Sequence, residues 1–204
     1  MISRTALAVV AIALMARVSP ALGAADGTKL ELPPGVPVAL VVFEDLQCPD
    51  CRRAHPQLIA AARVQGVPLV VRDFPIRRHV WALPAAVLAR WFGTRSPELE
   101  AQFRSFVFQN QPGVGPDNIR LLAEQFAATQ GIVLPADVDP DGSLAAAVQA
   151  DYDLGRRIGL EYVPLIFVLG RVEGSTRADE VTDTAQLADV IARMKEDVAI
   201  GTAR

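Results

Sequence analysis

The sequence predicts an α/β fold into which one all-helical lobe is inserted. Residues 36–73 follow the pattern strand, helix, strand; residues 79–159 carry helical periodicity without a strand pattern; and strand character resumes at residues 164–169. The composition suits a folded domain with such an insertion, because 51% of the 204 residues are hydrophobic and 21% are charged. These proportions exclude a disordered chain.

The first half of the chain predicts a βαβ unit. Residues 36–43 are almost continuous valine and leucine, which is typical of a strand buried on both faces. A helix follows from Pro49, Pro56 predicts a kink in it, and Gly66 ends it. Residues 67–73 then form a second strand, and the connection is long enough for a right-handed parallel crossover.

The inserted lobe is predicted to contain four helices, near residues 80–92, 97–109, 116–130 and 143–158. Proline and glycine turns mark the breaks between them. Its core is expected to consist of aromatic residues at helical spacing, namely Trp81, Trp91, Phe92, Phe103, Phe106 and Phe108.

After the lobe, residues 164–169 predict a third strand that turns at Gly170 and pairs with a short strand near residues 171–173 or just beyond them. The chain then ends in a helix, which Asp183 or Thr184 can cap. The apolar stripe of this helix consists of Leu187, Val190, Ile191 and Met194.

Residues 1–24 have the pattern of a secretory signal peptide. Arg4 precedes an apolar run over residues 6–16, and small residues suited to cleavage follow near residues 23–25. The run is shorter than the about 20 residues that a transmembrane helix needs, and an uncleaved membrane anchor is the alternative. Because the segment carries Arg4 and Arg17 and no acid, its removal would change the net charge from −3 to −5, which argues against a nucleic-acid partner.

Cys48 and Cys51 are the only cysteines, which excludes a framework of several disulfides. Their spacing suits a small structural disulfide, a redox couple, or a metal site completed by His55 and His79. Outside a metal site, His55 is expected to be a partly solvated helix residue and His79 to lie in a solvated loop.

The position of the two thiols predicts a role for each. At a strand-to-helix junction, free helix N–H groups and the helix dipole stabilise a thiolate on Cys48. Cys51, one turn further along, would be more buried and able to attack a mixed disulfide formed at Cys48. We therefore expect Cys48 to be the nucleophile and Cys51 the resolving thiol.

Four segments of the chain resemble the DsbA-like branch of the thioredoxin superfamily, and the resemblance covers residues 36–197. They are the motif Cys48-Pro49-Asp50-Cys51 after Phe43-x-Asp45, Pro56 five residues beyond it, Asp73-Phe74-Pro75 with His79 soon after, and Tyr162-Val163-Pro164.

The resemblance implies a thioredoxin-like fold with an inserted all-helical lobe. Residues 36–75 and 160–197 would form the thioredoxin-like domain and residues 76–159 the lobe. The family also places a cis-proline beside the active site, at Pro164, although the sequence alone leaves the state of this bond open. A proline there frees the backbone of Val163 to pair with an extended substrate, so Val163 and Pro164 are the expected substrate-binding residues.

Two positions depart from the family pattern. Related enzymes commonly have a buried carboxylate six residues before the nucleophile, which relays a proton for the resolving thiol. Val42 occupies that position here, and the nearest acids, Glu44 and Asp45, are expected to lie too far along the loop to replace it. Asp50 stands where DsbA proteins have histidine, so its charge should repel the thiolate and raise the pKa of Cys48. Pro49 and Asp50 are therefore the expected thiolate-tuning residues, and an oxidant of moderate strength is predicted.

These features predict a periplasmic thiol-disulfide oxidoreductase that exchanges a Cys48–Cys51 disulfide with cysteines of other exported proteins. We expect it to need no cofactor, to be a monomer, and to be recycled by a membrane redox partner. Two alternatives stay open: a periplasmic reductant of the thioredoxin type, and a non-catalytic metal carrier or chaperone-like binding protein.

Overall fold

The computed structural model describes residues 30–202, so the predicted signal peptide lies outside the described residues. The strands are β1 (Val38–Glu44), β2 (Leu69–Asp73), β3 (Leu165–Val172) and β4 (Ser175–Glu180). The helices are α1 (Pro49–Gln65), α2 (Ala82–Gly93), α3 (Pro97–Asn110), α4 (Ile119–Thr129), α5 (Ser143–Arg157) and α6 (Leu187–Thr202). Within residues 30–202, no helix is both long and apolar enough to cross a membrane.

The strands form one mixed sheet in the order β2-β1-β3-β4. All seven residues of β1 are buried, as its continuous apolar pattern predicts. β1 runs parallel to β2, with Leu40 opposite Leu69, and antiparallel to β3, with Val41 opposite Phe167. The loop that follows β1 therefore lies at the edge of the sheet where β3 begins.

Helix α1 makes the crossover between β1 and β2. It begins at Pro49, continues through Pro56, and ends at Gly66. Gly66 adopts the left-handed conformation (φ 61°), and its N–H bonds to the carbonyl of Arg63. Glycine suits this position because it has no Cβ to clash there.

Successive side chains of β1 point to opposite faces of the sheet. Val42 packs with α1 and α6, through residues such as Leu58 and Ile191. Phe43 points the other way, into the cluster formed by the helices between β2 and β3. Those helices are the four that were predicted, and their core contains the expected aromatic residues, with Phe106 partly buried.

The β3–β4 hairpin differs from the prediction in where it turns. β3 continues through Gly170 to Val172, and the turn lies at Glu173 and Gly174, both with positive φ. A Cβ at Gly170 would collide with the side chain of Met194 on α6. Gly170 therefore permits close helix packing on the strand rather than a turn.

Candidate active site

The loop after β1 places both thiols at the N-terminus of α1. Cys48 is the N-cap residue, with extended backbone (φ −76°, ψ 124°), and its carbonyl accepts the N–H of Arg52. Cys51 lies in the first turn and is almost fully buried, with 1% of its surface exposed, whereas 5% of Cys48 is exposed. Both cysteines are free thiols.

The pKa values of the two thiols are shifted in opposite directions. The pKa of Cys48 is lowered to about 6, first because the Cys51 thiol hydrogen-bonds to it, and also because the Cys51 backbone N–H does. The pKa of Cys51 is raised far above its ordinary value, first by burial and then by the neighbouring Cys48 thiolate. Near neutral pH the pair therefore holds one thiolate and one thiol.

Val163 and Pro164 directly precede β3, and this position places them beside the Cys48–Cys51 motif. The Val163–Pro164 peptide bond is cis, as the resemblance implies. Sγ of Cys48 lies 3.7 Å from the carbonyl oxygen of Val163, close enough for a weak thiol hydrogen bond. Tyr162, the preceding residue, is exposed, and its hydroxyl donates to Glu180 on β4.

Asp45 organises the loop between β1 and Cys48. One carboxylate oxygen accepts the N–H of Gln47 at 2.7 Å, and the other accepts the N–H of Ile76 at 2.7 Å and lies 2.8 Å from Nδ1 of His79. The backbone N–H of Asp45 points at Sγ of Cys51, at 3.4 Å. Burial raises the pKa of Asp45 despite these contacts.

This arrangement refines one expectation and corrects another. Asp45 is close to the thiols, because its backbone N–H points at Sγ of Cys51 and its charge raises the pKa of Cys48, while its carboxylate contacts Gln47, Ile76 and His79. His79 lies in a loop, but its side chain is not solvated as expected, because only 14% of it is exposed and its ring lies on Asp45. The positive charge of His79 lowers the pKa of Cys48.

The structure also corrects the expected effect of Asp50. Its side chain is 56% exposed and pairs with Arg53 one turn along α1. The carboxylate that raises the pKa of Cys48 is Asp45, and the net shift of Cys48 is downward rather than upward. The reason is local, since Asp50 occupies the outer side of the first turn and Arg53 offsets its charge.

Glu44 and His55 form a second buried polar group behind Cys51. Glu44 is 2% exposed, and its Oε2 lies 3.6 Å from Nδ1 of His55 while its Oε1 lies 3.6 Å from Nη1 of Arg104. Nε2 of His55 lies 3.0 Å from the hydroxyl of Ser105 on α3. His55 is therefore a buried residue of the α1–α3 contact, not the partly solvated residue expected from the sequence.

A glutamine from the inserted helices holds the motif loop in place. Nε2 of Gln111 donates to the carbonyl of Leu46 at 2.7 Å and to that of Cys48 at 3.1 Å. The side chain of Gln47 in turn accepts the N–H of Trp81. Together with Pro49 and Val114, these side chains line a shallow pocket of about 280 Å³ beside the motif.

The structure does not bring the four residues of the metal-site alternative together into one site. His55 faces Glu44 and His79 faces Asp45, so the two histidines lie in separate polar groups. Within residues 30–202, no group of three or more histidine, cysteine or acidic side chains could hold a metal ion.

Solved structures of three other proteins have a similar fold. The structure is similar to a doubly substituted form of α-DsbA1 from Wolbachia pipientis, with a TM-score of 0.67 and 18% identity, covering 85% of this chain and 96% of that one. It is also similar to the thiol-disulfide exchange protein α-DsbA2 from the same organism (TM-score 0.61, 18% identity, 79% and 83% covered). The catalytic domain of Proteus mirabilis ScsC matches with a TM-score of 0.61 and 18% identity, over 82% of this chain and 86% of that one.

Comparison of the sequence with protein-family models identifies the family of this chain. No curated protein matches the chain. A family model described as thioredoxin matches residues 34–186, which is well over half of the chain. The chain therefore belongs to this thioredoxin family, and its fold is the one seen in the DsbA structures.

Proposed function

We propose that this protein is an exported thiol-disulfide oxidoreductase that passes a Cys48–Cys51 disulfide to cysteines of other exported proteins. The observation that carries the proposal is the placement of the two free thiols, with Cys48 at the N-cap of α1 beside the carbonyl of Val163 and Cys51 buried in the first turn behind it. A pair of this kind has one sulfur ready to attack and one held in reserve to resolve the mixed disulfide.

The lowered pKa of Cys48 favours the oxidising direction. A thiolate stabilises the reduced form of the enzyme, and each unit of pKa depression favours that form by about 1.4 kcal/mol. A disulfide whose reduced form is stabilised accepts electrons more readily. We therefore expect a reduction potential between those of a strongly oxidising DsbA and of thioredoxin, about −120 and about −270 mV.

Val163 and Pro164 are the proposed substrate-binding residues. The carbonyl of Val163 stands beside Sγ of Cys48, where a peptide joined to that sulfur would run. The pocket beside Pro49 could take a side chain near the substrate cysteine. The proposed substrates are cysteine-containing exported proteins, with recycling by a membrane redox partner, export through residues 1–24, and a periplasmic monomer that needs no cofactor.

The direct test is an equilibrium titration in glutathione buffers of defined ratio, combined with oxidation of a reduced, unfolded protein that needs one disulfide to regain activity. We expect native protein to equilibrate within the range above and to oxidise the substrate, and Cys48→Ser to do neither. In Cys51→Ser, oxidised glutathione should first form a disulfide with Cys48, which a substrate thiolate then attacks at Cys48 to displace glutathione, and the resulting mixed disulfide should accumulate because no second thiol resolves it. A potential below that of thioredoxin would instead assign a reductant, and no exchange by native protein would overturn the proposal.

A further inference from the structure

The segment of residues 79–81 lies against the motif loop and borders two cavities. His79 contacts the carboxylate of Asp45, and the N–H of Trp81 donates to the side chain of Gln47. Trp81 lines the pocket of about 280 Å³ beside the motif. His79 lines a groove of about 480 Å³ between the loop after β2 and helices α2 and α5. Both cavities therefore adjoin the loop that carries the proposed nucleophile.

Each cavity contains an arginine whose charge is available. Arg52 lines the pocket one turn beyond Cys48, since its N–H bonds to the Cys48 carbonyl at 3.1 Å, and Arg77 lines the groove. Within residues 30–202, neither guanidinium has a hydrogen-bond or ion-pair partner, whereas Arg53 pairs with Asp50. Among the described residues, none that lines either cavity is acidic. Both guanidinium groups can therefore receive a carboxylate from another molecule.

Exposed apolar surface accompanies the two arginines. Val80, the middle residue of the segment, is 67% exposed, and Leu83, one turn further along, is 47% exposed. Both side chains line the groove. Large apolar side chains that are exposed together and bordered by polar groups are typical of an interaction site. Arg52, Arg77, Val80 and Leu83 form what we call the flanking surface.

The charge of the flanking surface is opposite in sign to that of the whole chain. The net charge of the chain is −3, so its overall field favours basic partners over acidic ones. A preference for acidic partners at the motif would therefore have to come from local positive groups. This difference in sign allows an experiment to separate the flanking surface from the rest of the molecule.

We propose that the flanking surface binds the residues next to a substrate cysteine and favours substrates that carry a carboxylate and a large apolar side chain there. The inference rests on the proposed exchange function. The substrate thiolate attacks Sγ of Cys48, the bond between Cys48 and Cys51 breaks, and Cys51 leaves as a thiolate. The substrate carboxylate pairs with one of the two arginines, and the apolar side chain covers Val80 and Leu83. Because these contacts hold the substrate sulfur near Cys48, they raise the rate of attack.

The test uses cysteine peptides of equal length that differ only in the two residues beside the cysteine. These are glutamate and leucine, glutamine and leucine, lysine and leucine, or glutamate and serine. Each reduced peptide is mixed with oxidised protein, and stopped-flow fluorescence gives the second-order rate constant at low and at high ionic strength. The reaction of each peptide with bis(2-hydroxyethyl) disulfide corrects for the acidity of the peptide thiol.

The variants remove one part of the flanking surface at a time. Arg52→Gln, Arg77→Gln and the double variant remove the positive charges, and Leu83→Ser removes apolar surface. Arg63→Gln is the matched control, because it removes the same charge from the last turn of α1. The quantities compared are ratios between peptides, so any change in the intrinsic reactivity of Cys48 cancels.

We expect the peptide with glutamate and leucine to react about tenfold faster than the glutamine peptide at low ionic strength, because local opposite charge raises association rates by about tenfold or more. The lysine peptide should be slower than the glutamine peptide. High ionic strength should reduce the glutamate advantage, and each single arginine variant should lose part of it. The double variant should lose nearly all of it, and Arg63→Gln should keep it. Leu83→Ser should slow the glutamate and leucine peptide about threefold without slowing the serine peptide.

Equal corrected rates for the glutamate and glutamine peptides would overturn the proposal. So would a glutamate advantage that the double variant keeps, or one that Arg63→Gln also loses. Equal rates combined with binding to phosphatidylglycerol vesicles, or with self-association, that the double variant loses would assign the flanking surface to a membrane or to a second copy of the chain. Native protein that reacts with none of the peptides would instead refute the proposed exchange function.

Discussion

The carbonyl oxygen of Val163 faces the sulfur of Cys48 at 3.7 Å, although the two residues lie 115 positions apart in the chain. When Cys48 is reduced and protonated, this carbonyl can accept a hydrogen bond from its thiol. Once Cys48 ionises or enters a mixed disulfide, it has no S–H to donate, and a buried carbonyl without a donor carries a free-energy cost. A backbone N–H from the substrate can then donate to the Val163 carbonyl in place of the thiol.

The first prediction follows from this contact. A short cysteine peptide should react with the oxidised protein about fivefold faster than its analogue in which the amide next to cysteine is replaced by an ester, because one hydrogen bond is worth about 1 kcal/mol. Stopped-flow fluorescence would measure both second-order rate constants. Reaction of both peptides with oxidised glutathione is the control for intrinsic reactivity. Equal rates with the protein would show that Val163 does not pair with the substrate backbone.

The second prediction concerns the acidity of Cys48. The rate at which native reduced protein is alkylated should rise as the pH passes about 6, the pKa of this thiol, and should then level off. Modification should be confined to Cys48. Cys51→Ala should shift the midpoint upward, because the Cys51 thiol is the main group that lowers the pKa. Mass spectrometry of samples quenched across the pH range measures both. An unshifted midpoint in Cys51→Ala would assign the low pKa to the helix N-terminus instead.

The third prediction uses two neighbours that act with opposite sign. His79→Gln should raise the pKa of Cys48, because the imidazole charge lowers it, whereas Asp45→Asn should lower it, because the carboxylate charge raises it. Ultraviolet absorbance of the thiolate during a pH titration measures each shift. Glu124→Gln is the control, since this exposed carboxylate lies on α4 and pairs with Arg120. Shifts of the same sign in both test variants would indicate a loop rearrangement rather than an electrostatic effect.

The order of strands and helices was predictable because it depends on local patterns. The continuous apolar run of β1, Pro49 in the first turn of α1 and Gly66 at its end each act through neighbouring residues. The cis bond before Pro164 was implied only by the resemblance, since its state depends on packing around β3. Local patterns also placed both thiols at the start of α1.

The polar partners of the thiols were not predictable from the sequence. His79 lies 34 residues from Asp45, and Gln111 lies 65 residues from Leu46, so neither pairing leaves a local pattern. Both histidines were expected to meet solvent because nothing nearby in the sequence buries them. Burial came from α3 and the loop after β2, which pack on the motif only in the folded chain.

The fourth prediction tests the buried ion pairs that join α3 to the sheet. Arg104 is 1% exposed and lies 2.9 Å from Asp73, whose pKa is lowered by Arg104 and Arg90 despite burial. Removing one partner of a buried pair leaves the other charge unpaired, so Arg104→Leu should lower the free energy of unfolding by about 3–5 kcal/mol near pH 7. Urea denaturation measures this loss. The exposed pair of Arg53 and Asp50 offers the control, since Arg53→Leu should cost about 0.5 kcal/mol or less.

The same pair fixes the sign of the pH dependence. A carboxylate with a lowered folded-state pKa stabilises the native protein above its unfolded pKa of about 4, and this contribution disappears as the pH falls through the lower, folded value. Native protein should therefore lose stability below about pH 4. In Arg104→Leu the pKa of Asp73 should rise, so the protein can relieve the unpaired charge by protonation, and the difference from native protein should shrink as the pH falls. A difference that stays constant with pH would show that Arg104 stabilises the protein by packing rather than by charge.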